Sequence, residues 1–476
     1  MRDRRVINVR GAVLAEQTVT AFRSALHGQL IRPGDEGYDR ARRVWNGMID
    51  RYPMLIAYCK DVEGVVESVN FARAHELLVA VRSGGHNVAG NGVCDGGLVI
   101  DLSRLKRVKV NAPSRTARAQ AGLNWREFDR ATQGYGLATT GGIVSRTGVA
   151  GLTLGGGIGW LMRKFGVTCD NLLSADIVTA DGRLVKASAS EQQELFWGVR
   201  GGGGNFGIVT EFDYQLHEVG PVLAGTIYYP ASKAREILRF YRDYITDVPD
   251  ELTTMFAYIA ASPTPFLRKL LHGSPVIAIH LCYTGPIETG EKVVKPLRVL
   301  GPPIEDAVRI TPYVSLQSML DSGSPAGLQN YWKSYYLKSL SDEAIEVLSS
   351  YCEDMTSPLS QVHLQHLGGA VRRIGEDEMA FSHRDAVCVL NIVTRWENPE
   401  EQEKHRTWTR DFEVAMRPFS TGGVYVNFLG EEGEDRVKAA YGPAKYTRLV
   451  ALKNKFDPTN FFRMNQNIKP TVNAPL

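Results

Sequence analysis

The sequence predicts an α+β protein of two domains. Three observations carry the prediction. The chain has 476 residues, too many for one ordinary hydrophobic core. Residues 53–81 read as a β-α-β unit, with short apolar runs on either side of an amphipathic stretch. After about residue 220 the texture changes to strand-like and helical runs in α+β order. The expected division is 1–220, 221–430 and a tail, 431–476, whose helix and ordered polar segment suit a return to the first domain.

Composition narrows the class. The chain is 43% hydrophobic and 22% charged, as in soluble globular proteins. A net charge of +3 is too small to argue for nucleic acid or a membrane surface, and no window approaches a membrane span. The first fifteen residues hold basic side chains but no apolar core for a signal peptide. The six cysteines are far apart and form no CxxC, against a zinc ribbon or a dense disulfide framework. A cytoplasmic, reduced setting is expected. Nothing in the sequence specifies an oligomeric state.

Taken in order, residues 1–50 read as helical and polar, with a break at Asp35-Glu36-Gly37-Tyr38. Residues 53–58 read as a strand. Residues 61–76 read as an amphipathic helix with Val62, Val65, Val66, Val69 and Ala72 on one face. Residues 77–81 form a second strand, which runs into Arg82-Ser83-Gly84-Gly85-His86-Asn87. The two glycines admit turn conformations closed to other residues, and successive N–H groups in such a turn make a concave anion site. Arg82 could add charge-assisted contacts there. Strands follow at 97–102 and, as a pair, within 108–121; residues 125–133 form a helix capped by Asn124.

The glycine content then jumps, with Gly141, Gly142, Gly148 and Gly151 followed by Gly155-Gly156-Gly157 and Gly159. Apolar residues are interleaved throughout, so this is backbone packed closely on something flat or charged. Residues 201–207 repeat the theme and their last six match GxGxxG, but they run into a strand at 208–212 rather than a helix, which argues against a Rossmann site. Beyond 220, helices are expected at 234–245, 292–300, 342–355 and 399–416. Strands are expected at 252–260, 276–283 and 385–396. A last helix, from 446, stops at Asp457-Pro458.

These motifs in this order resemble the berberine-bridge-enzyme-like FAD-linked oxidases, whose flavin domain is of the p-cresol methylhydroxylase and vanillyl-alcohol oxidase type. The residues that carry the resemblance are Arg82-Ser83-Gly84-Gly85-His86, Thr147-Gly148-Val149-Ala150-Gly151, the glycines of 155–159 and residues 202–211. Tyr425-Val426-Asn427, residues 457–460 and Asn465-Gln466-Asn467-Ile468 complete the set. The resemblance implies a split FAD-binding domain and a substrate domain with an antiparallel sheet covered by helices. It implies FAD bound covalently through its 8α-methyl to His86. The pyrophosphate would lie on Arg82, Ser83, Gly84, Gly85 and Asn87. Gly141, Gly142, Thr147, Gly148, Gly151, Asn205, Gly207 and Val209 would line the cofactor, and Asn427 would meet the flavin ring. Many relatives add a cysteinyl link; the matching position here is Val144, so one link is expected.

The implied activity is hydride removal from a small-molecule alcohol, amine or C–H group, with reoxidation by dioxygen to hydrogen peroxide. Alternatives are a flavin dehydrogenase using another acceptor and a non-catalytic flavin or ligand binder on the same fold. Tyr425 is the candidate base, against the reading that it is a packed strand tyrosine. A base of this kind needs a depressed pKa or concerted proton transfer, with Arg384 as a guessed partner. His363 and His366 form HLQH, which lacks a third ligand signal and is expected to be structural, with no metal site. Specificity is expected to lie in 221–430.

Overall fold

In a computed structural model, which describes residues 6–261 and 272–471, the chain builds two sheet systems that face each other. The first begins with a four-stranded sheet in the order Gly28–Ile31, Leu55–Cys59, Leu98–Asp101, Val79–Arg82. Leu98–Asp101 lies parallel to both of its neighbours. The helix Val62–Ala74 crosses over between them. Asp61 caps it, its side chain accepting the Gly64 N–H at 3.0 Å, and Val65, Val69 and Ala72 are buried. Residues 1–50 were expected to be helical, yet Gly28–Ile31 is an edge strand antiparallel to Leu55–Cys59. It buries only Leu30 and Ile31, too few positions to show a period of two.

A five-stranded antiparallel sheet follows, in the order Val108–Asn111, Thr116–Gln120, Ile208–Gln215, Leu172–Val178, Leu184–Ser188. The helix Trp125–Gln133 opens with a capping box: Asn124 accepts the Glu127 N–H and Glu127 accepts the Asn124 N–H.

The second system is one eight-stranded antiparallel sheet. Its path runs Glu305–Asp306, Val222–Pro230, Pro275–Tyr283, Leu252–Ala260, Gln361–His366, Cys388–Trp396, Gln329–Leu337, and Arg309–Thr311 also pairs with Val222–Pro230. Side chains alternate across it. Leu223, Phe256, Ile279, Leu364 and Leu390 point to a core shared with helices Ala234–Tyr244, Ile287–Val299, Asp342–Glu353 and Gln402–Met416. The opposite face looks toward the glycine-rich segments. Val424, Val426, Leu429, Leu449, Leu452 and Ile468 lie in the core of the first system, so the chain is back there ahead of the expected boundary at 431. No described helix is long and apolar enough to cross a membrane.

Candidate active site

A cavity of about 750 Å³ separates the glycine-rich layer from the free face of the large sheet. Its size follows from what makes each wall. One wall is backbone with few side chains; the other is side chains of the large sheet, at alternate positions along Gln361–His366 and Cys388–Trp396.

The strand Val79–Arg82 delivers the turn of residues 82–87 to this cavity. Gly85 has φ +68°, the left-handed region. Gly84 is needed for another reason: a Cβ there would stand 2.5 Å from the Gly148 nitrogen, and one on Gly148 would stand 2.5 Å from the Gly84 nitrogen. Two glycines thus let the turn seat directly on the second glycine segment. None of the backbone N–H groups of residues 83–87 finds an acceptor within the described residues. Unpaired donors lining a cavity are what pyrophosphate oxygens require. The Asn465 side chain donates to Gly204 and Phe462 carbonyls, and its Oδ1 stays unpartnered at the same wall. The residues present therefore fit FAD.

Arg82 lines the cavity, but its charge is committed. Its Nε meets Asp101 Oδ2 at 2.5 Å, both side chains being buried. The parallel register that sets Arg82 beside Asp101 creates this pair. Two other expected cofactor residues lie behind the wall. Gly141 packs on the Trp125 ring, where a Cβ would approach to 2.6 Å, and is absent from the lining. Asn205 is fully buried and ties the tail down: its Nδ2 donates to the Gly202 and Gln466 carbonyls and its Oδ1 accepts the Ile468 N–H. Ser83, Gly84, Gly85, His86, Asn87, Gly142, Thr147, Gly148, Gly151, Gly207, Val209 and Asn427 line the cavity.

His86 stands at the tip of the turn, stacked on Trp45 with ring centroids 5.3 Å apart. Burial, aided by the Arg146 charge, lowers its pKa to about 4. Its imidazole is therefore neutral near pH 7 and keeps a nucleophilic nitrogen lone pair. Val144 lines the cavity and none of the six cysteines does. From Trp45 an aromatic wall continues through Trp332 and Phe428 to Tyr425, each pair edge to face.

Tyr425 is not a strand residue; it precedes the short 3-10 turn Val426–Phe428. Its hydroxyl oxygen receives three donors: Gly157 N–H at 2.9 Å, Ile158 N–H at 3.3 Å and Asn427 Nδ2 at 2.8 Å. A neutral phenol has two lone pairs, so three donors suit the phenolate. Burial works the other way and pushes the pKa up to about 12, with these hydrogen bonds opposing it. Arg384 is not the partner guessed for Tyr425. It forms a buried pair with Asp170 at 2.7 Å, and Phe381 packs against both Arg384 and Tyr425.

The other wall was not read residue by residue from the sequence. Gln361, His363 and Gln365 from one strand, Asn391, Val393 and Arg395 from the next, and His280, Thr226 and Met255 beyond them line the cavity. His363 and His366 fall on opposite faces, His366 meeting Arg163 at 3.0 Å, so they cannot share a metal. Burial holds His280 near pKa 4, and burial with the Arg395 charge holds His363 near 3. The alternation of Gln361, His363 and Gln365 with the core residues Val362 and Leu364 was the available signal.

Comparison with known proteins gives the chain's relatives. Residues 53–188 match the FAD binding domain family, and residues 424–469 match the family described as berberine and berberine like. An FAD-linked oxidoreductase of Dictyostelium discoideum is 34% identical, over 96% of this chain and 98% of its own. The (R)-6-hydroxynicotine oxidase of Paenarthrobacter nicotinovorans is 30% identical, over 94% of this chain and 97% of its own. The crystal structure of 6-hydroxy-D-nicotine oxidase from Arthrobacter nicotinovorans superposes with a TM-score of 0.84 at 28% identity, covering 93% of this chain and 98% of that one.

Proposed function

Because the chain belongs to the FAD-linked oxidoreductases that join an FAD binding domain to a berberine-like segment, we propose that it is an oxidase of small molecules with FAD held covalently by His86. FAD, when bound, supplies the hydride acceptor and passes the electron pair to dioxygen, giving hydrogen peroxide. The observation that carries the proposal is the placement of two groups on one cavity: a neutral His86 on a turn of unpaired N–H groups, and Tyr425 with three donors on its oxygen.

The chain's own residues have distinct tasks. Residues 83–87 bind the pyrophosphate through backbone N–H groups. His86 offers its lone pair as the covalent anchor, and Trp45 holds the ring by stacking. Tyr425 takes the substrate's proton, and Gly157, Ile158 and Asn427 stabilise the charge on its oxygen as the proton moves. Asn427 is fixed in turn by donating to the Leu152 carbonyl, an approach that Gly155 permits by having no Cβ.

A peroxide-coupled screen of alcohols, amines and activated C–H compounds tests the reading. Peroxide release with at least one class, lost in Tyr425→Phe, is the expected result. Substrate-dependent bleaching of the flavin without peroxide would favour a dehydrogenase using another acceptor. No bleaching with any compound would favour a flavin binder.

A further inference from the structure

We infer that Arg395 is the anchor for a carboxylate on the substrate, so that the substrate is a small organic acid with an apolar or aromatic body. The inference rests on the oxidoreductase reading of the same cavity and names its substrate class.

Arg395 sits on the strand Cys388–Trp396 with 5% of its surface exposed, and it lines the cavity. A buried guanidinium needs either a carboxylate or a full set of acceptors. Other buried arginines meet this need. Arg82 pairs with Asp101 and Arg384 with Asp170. Arg163 spends its guanidinium on Leu252, Leu367 and Val248 carbonyls and on His366. Arg395 does neither. Its Nε donates to Asn330 Oδ1 at 3.2 Å and its Nη1 to the Gly323 carbonyl, and no carboxylate pairs with it among the described residues. Two of five N–H groups are thus used. None of its nitrogens is both buried and unpartnered, so the remaining donors open on cavity space.

The surroundings select the sign of the ligand. No aspartate, glutamate or lysine lines the cavity. Arg309 stands exposed at the rim, and Arg82 is neutralised by Asp101. His280 and His363 are uncharged near neutral pH. An ammonium substrate would meet a guanidinium with no carboxylate to offset it, whereas a carboxylate would accept two parallel N–H bonds from the fork. Trp45, with the guanidinium 5.9 Å from its ring centre, Trp332 and Val393 give the body of such an acid a flat apolar wall.

The rival is that Arg395 only pins Gly323 and Asn330. Calorimetric titration of the purified protein with benzoate, benzamide and benzylamine separates the two. Benzoate should bind at least about 10-fold tighter than benzamide, and Arg395→Gln should weaken benzoate by roughly 10- to 100-fold, the range for hydrogen bonds to charged groups. Benzamide should change less than about threefold, and Arg395→Lys should keep part of the preference. Wild-type protein that does not prefer benzoate overturns the inference without any variant. Equal losses for benzoate and benzamide in Arg395→Gln, or loss of flavin from that variant, also overturn it. The visible spectrum reports flavin separately. A colourless protein that prefers benzoate would sink only the oxidoreductase reading; a yellow one that does not would sink only this inference.

Discussion

Replacing Tyr425 by phenylalanine removes one oxygen on which three donors converge. Asn427 keeps its second partner, the Leu152 carbonyl, so the loss falls on the Gly157 and Ile158 N–H groups. A buried unsatisfied donor costs about 1–3 kcal/mol, and the longer bond to Ile158 lies at the low end. The variant should lose about 2–4 kcal/mol of unfolding free energy and remain folded, since the ring still fills its place. Anaerobic flavin reduction by substrate should slow by about 10²–10⁴-fold, the span of general-base catalysis, while reoxidation by dioxygen changes little. The pH profile gives an independent check. With a pKa near 12, Tyr425 carries its proton below that value, so the competent phenolate grows about tenfold per pH unit. The wild-type reduction rate should climb from about pH 6 to about pH 10, and the variant should be flat over that range. Stopped-flow absorbance measures both. Near wild-type reduction by Tyr425→Phe, or a flat wild-type profile, would remove the phenolate from the mechanism.

Other outcomes follow from single contacts. Gly148→Ala places a methyl group 2.5 Å from the Gly84 nitrogen, so the turn must move; flavin content per chain should fall sharply while circular dichroism stays close to wild type. Retention of full flavin would show that the two segments need not touch. Asp129 is buried with one hydrogen bond, from Gln317 at 2.8 Å, and burial raises its pKa to about 7. The folded state then holds a proton that the unfolded chain releases near pH 4, so stability falls as pH rises from about 4 to about 7, by up to about 4 kcal/mol. Asp129→Asn should flatten that slope in urea titrations at several pH values; an unchanged slope would refute the assignment.

Much of the flavin side was legible because its signals are local. Asn124 and Glu127 state a helix start three residues apart, and the strand at 77–81 ends in a turn that only glycines can make. What is hidden in the sequence depends on partners distant along the chain. The ion pair of Arg82 exists only because the parallel register sets it beside Asp101. The bonds by which Asn205 holds the tail at Gln466 and Ile468 are invisible in the sequence for the same reason. The strand Gln329–Leu337 escaped notice because its polar Gln329, Asn330, Lys333 and Ser334 hide the period. Tyr425, between two valines, reads as a strand residue, but the Val426–Phe428 turn lets Tyr425 and Asn427 meet at one oxygen. The substrate wall was placed in 221–430 but not resolved into residues. Polar side chains on one face of a buried strand look, in sequence, like the exposed face of an ordinary one.

The central claim is that His86 holds FAD on this cavity, and denaturation tests it most directly. Protein precipitated with acid should stay yellow, and peptide mapping should find flavin on the His86 peptide alone. His86→Ala should release all its flavin into the supernatant while still binding some before denaturation, through the N–H groups of the turn. Complete release from wild-type protein, or an adduct on any of the six cysteines, would contradict the account.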